Sequence, residues 1–596
     1  MKSDTLIGRL ATFGVLASVF MTGFAVLAVR LRVEQLDRAS EHAGEMSRQS
    51  FRRVQTAGLR GRIFDRNGTP LAVNRRSLNV VMHPEYFKAK RKGETPAGNI
   101  RDAIAALAPV IGREPSVSER TVNRHLRYEL ARPLLVWRDL SEAELARFAE
   151  HAREHPGFEC LSEDERSYPE GTLAAHLIGR VGRESVHSVT GDLKVNYAEK
   201  DLTGREGLEL RYDDYLRSMP GEDRVVVDAR GFATERETLV EPRNGLDLTL
   251  TLDAAVQRAA ERQLAGCRGA CVVLDPRNGA ILASASAPTF NPNDCVPVFR
   301  SELYERLSSD PGRPLLNRAT QGTYAPGSTF KPVTALAGLG TGWPADAHYT
   351  CEGAFALGGM RIRCSRTWGH GSMDVAHALR ESCNPFFCNL GMRTGTNALF
   401  AAARSFGLGA RTGVDFPTDA AGVVPDGEWK IAHYREKWYP GDLAQMSIGQ
   451  GMLLVTPLQM ARVAGALGTG NLVTPRLNAA MPAEVSPLRF PERDMAVVRE
   501  GMRMVVDGGT GRKAGEGVDA NVIGKTGTAE VGRGASRRKN TWFIAYATPT
   551  ETSVCRDPVA IAMVVENGES GGGTTAPKVA AVLRAIYNGT EDAGGV

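Results

Sequence analysis

The sequence predicts a multidomain α/β (α+β) protein with a single N-terminal transmembrane helix and a C-terminal domain built on an antiparallel central sheet flanked by helices. Three observations predict it. The chain has 596 residues, more than one hydrophobic core usually serves. Leu10 to Val29 carries no charged residue, and its length matches the ~20 residues needed to cross ~30 Å of hydrocarbon at ~1.5 Å per residue. The second half of the chain interleaves short apolar strand patterns with helical patterns, which suits a mixed domain around one sheet.

The apolar run ends at Val29-Arg30-Leu31-Arg32, a poor cleavage site, so it reads as a retained anchor rather than a removed leader. Lys2 and Arg9 precede it while Arg30 and Arg32 follow it, so basic residues alone do not orient the span. Most of the chain follows the span and is placed outside the cytoplasm. The domains read as 1–30 (tip and anchor), 31–243 (an extended middle domain) and 244–596 (the mixed domain). Arg32 to Val54 is polar and reads as a helical stalk. Ile63-Phe64, the turn Asp65-Arg66-Asn67-Gly68 and Leu71-Ala72-Val73 read as a hairpin, because Asn-Gly supplies the positive φ that a tight turn needs. After Pro242-Arg243-Asn244-Gly245, the alternation from Leu246 to Leu252 predicts a half-buried strand, and Asp253 caps a helix through Leu264. Ala270 to Leu274 and Ala280 to Ala285 flank a Gly-containing turn and predict a second hairpin. Further strands are predicted at Trp542–Tyr546 and Val559–Val565, and a closing helix at Ala576–Tyr587 with Pro577 in its first turn.

Composition is that of a globular protein, 42% hydrophobic and 24% charged. Net charge is +5 from 73 basic and 68 acidic residues, and no basic block interleaves with aromatics, so nothing here invokes nucleic acid. The nine cysteines are too dispersed for a disulfide framework.

Three stretches of the second half carry chemistry. In Tyr324-Ala325-Pro326-Gly327-Ser328-Thr329-Phe330-Lys331-Pro332, the Ser and Lys lie three apart and share a helix face. Pro332 requires the helix to begin close to Ser328, which puts that hydroxyl at a positive helix end. A desolvated lysine of lowered pKa can serve as the base that activates it. Alone the pair is weak, since solvated Ser-x-x-Lys pairs are common on helices. Ser382-Cys383-Asn384 lies in a predicted helix-turn region from Val375 to Leu390, and by itself reads as a polar break. Gly524-Lys525-Thr526-Gly527-Thr528-Ala529 follows Val522-Ile523, and by itself reads as an ordinary strand. In this order the three match the motif set Ser-x-x-Lys, Ser-x-Asn and Lys-Thr-Gly.

With these motifs the chain resembles a class B penicillin-binding protein, a D,D-transpeptidase of peptidoglycan synthesis. The resemblance extends to Arg60-Gly61-Arg62-Ile63-Phe64-Asp65-Arg66-Asn67-Gly68, Ala175-His176-Leu177-Ile178-Gly179 and Gly204-Arg205-Glu206-Gly207-Leu208-Glu209, which look like the family's non-catalytic pedestal. Val273-Leu274-Asp275-Pro276, Ile448-Gly449-Gln450-Gly451 and Thr456-Pro457-Leu458-Gln459-Met460 resemble its transpeptidase domain. Trp368-Gly369-His370-Gly371 and Trp438-Tyr439-Pro440-Gly441-Asp442 look most like the elongation-specific branch, with the septal branch as the alternative.

The resemblance implies that Ser328 is the nucleophile and Lys331 its general base, that Ser382 and Asn384 relay protons and orient the substrate, and that Lys525 supports the hydroxyl network. Thr526, Gly527 and Thr528 would bind the substrate, and the backbone N–H groups of Ser328 and Thr528 would form an oxyanion hole. It implies no catalytic cofactor, peptidoglycan stem peptides as substrate, β-lactams as inhibitors, and partners among elongation-complex proteins, including a polytopic glycosyltransferase of the shape, elongation, division and sporulation (SEDS) group. It also implies single-pass residence in the inner membrane with the catalytic domain on the periplasmic side. A β-lactamase or β-lactam sensor shares the motifs but has no use for the pedestal, and a catalytically silent scaffold would have no use for Ser328, Lys331 and Lys525.

Cys351, Cys364, His370 and Cys383 fall in the segment leading into Ser-Cys-Asn, at spacings of thirteen, six and thirteen residues. Three thiolates and an imidazole make a structural zinc shell, although these spacings are not those of a finger knuckle. A Cys351–Cys364 disulfide and inert buried thiols are the other two readings.

Overall fold

The computed structural model describes residues 4–38, 51–89, 91, 93–183, 196–197, 202–228, 232–296, 298–532 and 538–589. Helix α1 (Asp4–Arg32) contains the apolar run, and a π-helical turn at Val33–Asp37 extends it. None of its apolar stretch is buried by the rest of the protein, and it is long and apolar enough to cross a membrane. Residues 39–50 of the expected stalk lie outside the described residues. Phe51 to Val54 correct that expectation, for they belong to a strand, β1 (Phe51–Thr56). Pairing decides this: β1 lies antiparallel to Gly221–Val227 along its whole length, and a sheet partner outweighs local propensity.

The predicted hairpin forms from β2 (Ile63–Phe64) and β3 (Pro70–Met82), with Gly68 at φ 87° in the turn. β3 is longer than predicted because it also pairs with β4 (Leu134–Trp137) and β5 (Phe158–Ser167). Helices Pro96–Ile111 and Glu119–Tyr128 bury Ile100, Ile104, Leu107 and Val122 against Val80, Met82 and Trp137 of this sheet. The second N-terminal sheet joins β1 to β6 (Gly221–Val227) and β7 (Ala233–Val240). The strand predicted over 246–252 shrinks to β8 (Leu248–Thr249), which pairs in parallel with β2. Leu248, Leu250 and Leu252 are buried, but Leu246 is exposed.

Asp253 caps α2 (Ala254–Leu264) through the N–H groups of Ala255 and Val256. The predicted hairpin of β9 (Gly269–Leu274) and β10 (Ile281–Ala287) joins a five-stranded antiparallel sheet of order β10-β9-β13-β12-β11. Its other strands are β11 (Ala520–Val531), β12 (Arg538–Pro549) and β13 (Val559–Glu566). Both faces are covered, so β13 reads as a continuous apolar run rather than an alternation. Ala560, Ala562 and Val564 face a core that includes Pro457–Thr469, while Ile561, Met563 and Val565 face α2 and the closing helix Ala576–Tyr587.

The pedestal-like motifs of the N-terminal half converge on one buried ionic cluster. Glu209 is fully buried and accepts from Arg60 Nε and Arg166 Nε at 2.7 Å each and from the Tyr168 hydroxyl at 3.3 Å. Arg60 also reaches Asp213 at 2.8 Å, and Arg166 donates to the Gly61 carbonyl at 2.8 Å. Removing the shared carboxylate takes the buried partner from Arg166 and leaves Arg60 with Asp213. Glu209→Ala is therefore expected to destabilise the N-terminal half by about 3–5 kcal/mol. Denaturant unfolding of the variant checks this, and a loss under about 1 kcal/mol contradicts it.

Candidate active site

Ser328 lies in a 3-10 turn, Gly327–Phe330, that runs straight into α3 (Lys331–Gly340). Pro332 falls in the first turn of α3, where its missing N–H costs nothing. The turn is backed by Ile448-Gly449-Gln450-Gly451: the Gly327 N–H donates to the Gly449 carbonyl at 2.8 Å. Gly449 has φ 71°, and a Cβ there would lie 2.0 Å from the Gly327 carbonyl oxygen, so only glycine permits the approach. On the other side the Trp542 indole donates to the Ala325 carbonyl at 3.0 Å.

Lys331, three residues after Ser328 at the start of α3, is fully buried. Its ammonium donates to the Ser382 carbonyl (2.7 Å), the Ser382 hydroxyl (3.3 Å) and Asn384 Oδ1 (2.7 Å). Ser382 sits in the break between α4 (Val375–Arg380) and α5 (Asn384–Thr394), with φ 55°. Holding a serine in that left-handed region costs roughly 1–2 kcal/mol, and it turns the carbonyl toward the lysine. The amide nitrogen of Asn384 is also engaged, donating to the Arg363 carbonyl at 2.9 Å. Burial lowers the pKa of Lys331 to about 8.

The third motif lies entirely within β11. Lys525 is fully buried, donates to the Thr526 carbonyl at 3.2 Å, and has its pKa pushed well down by burial and by the nearby Lys331 charge. The Thr526 hydroxyl shares a hydrogen bond with Thr510 at 2.8 Å. The Thr528 hydroxyl accepts from the Gly571 N–H at 3.2 Å, and the Thr528 carbonyl accepts from Gln450 at 3.3 Å. A cleft of about 1620 Å³ opens over these groups, lined by Ser328, Ser382, Asn384, Thr526, Gly527 and Thr528. The structure thus brings all three motifs to one cleft, with both lysines beneath its surface. A hydroxyl at the mouth and a desolvated amine below it are the parts of a serine nucleophile and its base.

The cysteine cluster also assembles. Cys351, Cys364, His370 and Cys383 place their donor atoms within 4.8 Å of one another. Cys364 Sγ lies 3.3 Å from His370 Nδ1 and 4.0 Å from Cys383 Sγ, and Cys351 Sγ lies 3.9 Å from His370 Nδ1. A tetrahedral zinc with bonds of ~2.3 Å to sulfur and ~2.0–2.1 Å to nitrogen has edges of about 3.5–3.8 Å, and these three separations lie near that. His370 Nε2 faces Glu381 at 3.8 Å, the usual direction for a carboxylate behind a ligating imidazole. The thiol of Cys383 holds Cys364 toward the thiolate. All nine cysteines are free, so the Cys351–Cys364 disulfide does not form.

Thr510 and the Gly571-Gly572-Gly573 run line the cleft and were not singled out from sequence. Three successive glycines offered a signal, since such a run marks close backbone approach: a Cβ at Gly571 would meet the Gly527 carbonyl at 2.5 Å.

Comparison with known proteins agrees with this geometry. Residues 269–587 match the penicillin-binding protein transpeptidase domain, and residues 55–250 match the penicillin-binding protein dimerisation domain. The chain is 32% identical to the peptidoglycan D,D-transpeptidase MrdA of Escherichia coli K12, covering 98% of this chain and 94% of that protein. It is 33% identical to MrdA of Acinetobacter baumannii over 92% of this chain and 83% of that one. Among solved structures it is similar to the penicillin-binding protein PBP2 of Helicobacter pylori in complex with MreC. That likeness has a TM-score of 0.77 and 26% identity, over 90% of this chain and 98% of that one. With a transpeptidase domain of this sequence and fold behind a dimerisation domain, and near-full-length likeness to MrdA, the chain belongs to the class B penicillin-binding protein transpeptidases.

Proposed function

We propose that this protein is a membrane-anchored peptidoglycan D,D-transpeptidase of cell elongation that works through a Ser328 acyl-enzyme. The observation that carries the reading is the convergence of Ser328, Lys331, Ser382, Asn384 and Lys525 around one cleft, with both lysines fully buried. Neutral Lys331 takes the Ser328 proton as the hydroxyl attacks the penultimate D-alanine carbonyl of a stem pentapeptide. Backbone N–H groups of Ser328 and Thr528 hold the oxyanion, where losing one donor costs ~3–4 kcal/mol. The proton passes through the Ser382 hydroxyl, 3.3 Å from the lysine, to the departing D-alanine amine. An amine of a neighbouring stem then attacks the ester, returning the proton to Ser328 and completing the cross-link. Thr526 and Thr528 hold the terminal carboxylate, and Lys525 supports the hydroxyl network beside them.

The elongation role rests on the likeness to MrdA and to a PBP2 bound to MreC. Likeness to a chain of a peptidoglycan synthase complex that coordinates polymerisation and crosslinking (TM-score 0.73, 28% identity, 98% of this chain) supports a glycosyltransferase partner of the SEDS group. We place residues 1–30 as tip and anchor, 31–243 as pedestal and 244–596 as the transpeptidase domain. The last two lie in the periplasm, where the substrate is. β-Lactams acylate Ser328 because their ring imitates the D-alanyl-D-alanine end.

The Cys351, Cys364, His370 and Cys383 set binds a structural zinc in this reading, on the strength of its donor types and distances. Bound there, the ion supplies cross-linking rather than Lewis-acid chemistry, since Cys383 lies between Ser382 and Asn384 and all four ligands come from the protein.

Ser328→Ala is expected to abolish fluorescent-penicillin labelling and D-alanine release, and cells dependent on that variant should round up. Retained labelling would falsify the nucleophile, and filamentation would favour the septal role. Because Lys331 must be neutral to act as base, the acylation rate should rise with pH and level off above about 8. A rate that falls over pH 6–8 contradicts that role. Purified protein should carry about one zinc per chain; elemental analysis near zero removes the zinc assignment.

A further inference from the structure

The wall of the cleft beside Ser382 is a β-hairpin, Ala354–Leu357 against Met360–Arg363, that none of the three motifs includes. Its residues alternate as a two-faced strand must. Phe355, Leu357, Met360 and Ile362 pack against the hydrophobic core, and Arg361 and Arg363 alternate with them and are exposed; Arg361, Ile362 and Arg363 all line the cleft. Positions two apart on one face are ~6.6–7 Å apart, so the two arginine side chains leave the strand as neighbours on one face.

Three features mark this pair as more than solvated surface charge. The cross-strand neighbours of Arg361 and Arg363 are Ala356 and Ala354, side chains too small to shield or satisfy them. Neither arginine has a carboxylate partner among the described residues, although most arginines around the site do. The nearest acid on this wall, Glu381, is already faced by Arg366, Arg380 and His370 at 3.7–3.8 Å. Finally, the backbone that carries the pair is held fast: Asn384 donates to the Arg363 carbonyl at 2.9 Å, and Cys364 follows within the cysteine cluster. Elsewhere in the lining the charges are mixed, since Glu530 and Lys539 are cross-strand partners and Glu569 also lines the cleft.

We infer that Arg361 and Arg363 form a carboxylate subsite that selects acidic stem peptides, those with free side carboxylates, over stems in which these are amidated. This rests on the transpeptidase reading above and names the substrate class of the same cleft. A guanidinium fork engages a carboxylate by two charge-assisted hydrogen bonds and gains far less from a neutral amide. Because both groups are exposed, the selection must weaken as salt screens it.

The test uses the full-length protein in detergent and two synthetic stem pentapeptides ending in D-alanyl-D-alanine, one with free side carboxylates and one with them amidated. Release of D-alanine gives kcat and KM for each. The free stem is expected to have a KM lower by about tenfold. That advantage should shrink steadily with added salt, a response that a structural role of the hairpin would not produce. In R361Q/R363Q the two KM values should converge, and in R361E/R363E the preference should invert toward the amidated stem. Equal KM values for the two stems in an unmodified enzyme that releases D-alanine overturn the subsite alone. Preference retained in R361Q/R363Q overturns it as well. Absence of release from either stem overturns the transpeptidase reading, and the subsite with it.

Discussion

A single buried cation organises the site. The Lys331 ammonium has left water completely, and a lone charge in that position costs several kcal/mol unless its protons are taken up. The three acceptors that take them up come from one break between helices: the Ser382 carbonyl, the Ser382 hydroxyl and Asn384 Oδ1. Serving the lysine obliges Ser382 to adopt positive φ, and it obliges α5 to start at Asn384 so that this side chain points back. Burial is also what lowers the pKa of the amine, so the packing that demands these contacts is the packing that shifts it.

The second motif lysine meets a different constraint. Lys525 is fully buried on the edge strand β11, near Lys331, and its main acceptor is the Thr526 carbonyl of its own strand. Two cations in one buried pocket disfavour each other's charge, so the pair holds protons unequally. Above this pair the cleft is narrowed by backbone rather than side chains. Gly527 and Gly571 meet closely, as do Gly327 and Gly449, so the reactive turn is set by main-chain contact. Positions fixed in that way do not depend on rotamers, and this favours a nucleophile that must meet its substrate within a few tenths of an ångström.

The Arg361/Arg363 hairpin and the cysteine cluster extend this order outward. Asn384 bonds inward to Lys331 and outward to the hairpin carbonyl, and Cys383 sits between the two motif residues. The N-terminal half joins the same frame: the Tyr212 hydroxyl donates to Asp415 at 2.5 Å, and Asp415 in turn accepts the N–H groups of Leu477 and Asn478. Half-buried His176 packs edge-on against Phe290 and bonds to the Pro314 carbonyl at 2.6 Å.

Much of this was legible in the sequence, and for physical reasons. The anchor, the caps at Asp253 and Pro332, the Asn-Gly hairpin and the closing helix at Ala576–Tyr587 rest on local rules of length, periodicity and backbone geometry, and these act within a few residues. The three motifs were legible because their chemistry requires given side chains at given spacings. What local rules could not decide is what lies opposite a segment. Phe51–Thr56 is a strand because β6 lies beside it, β8 is short because only two of its residues meet β2, and the stalk prediction failed where a partner was present. The disulfide reading fell, and the donor set formed, only when residues from 351 to 383 were folded onto one point. In the same way Met-Arg-Ile-Arg showed an alternation, but not that its charged face looks into the cleft. Local geometry is written along the chain; which faces meet is settled by packing, because burial free energy belongs to pairs of surfaces and not to segments.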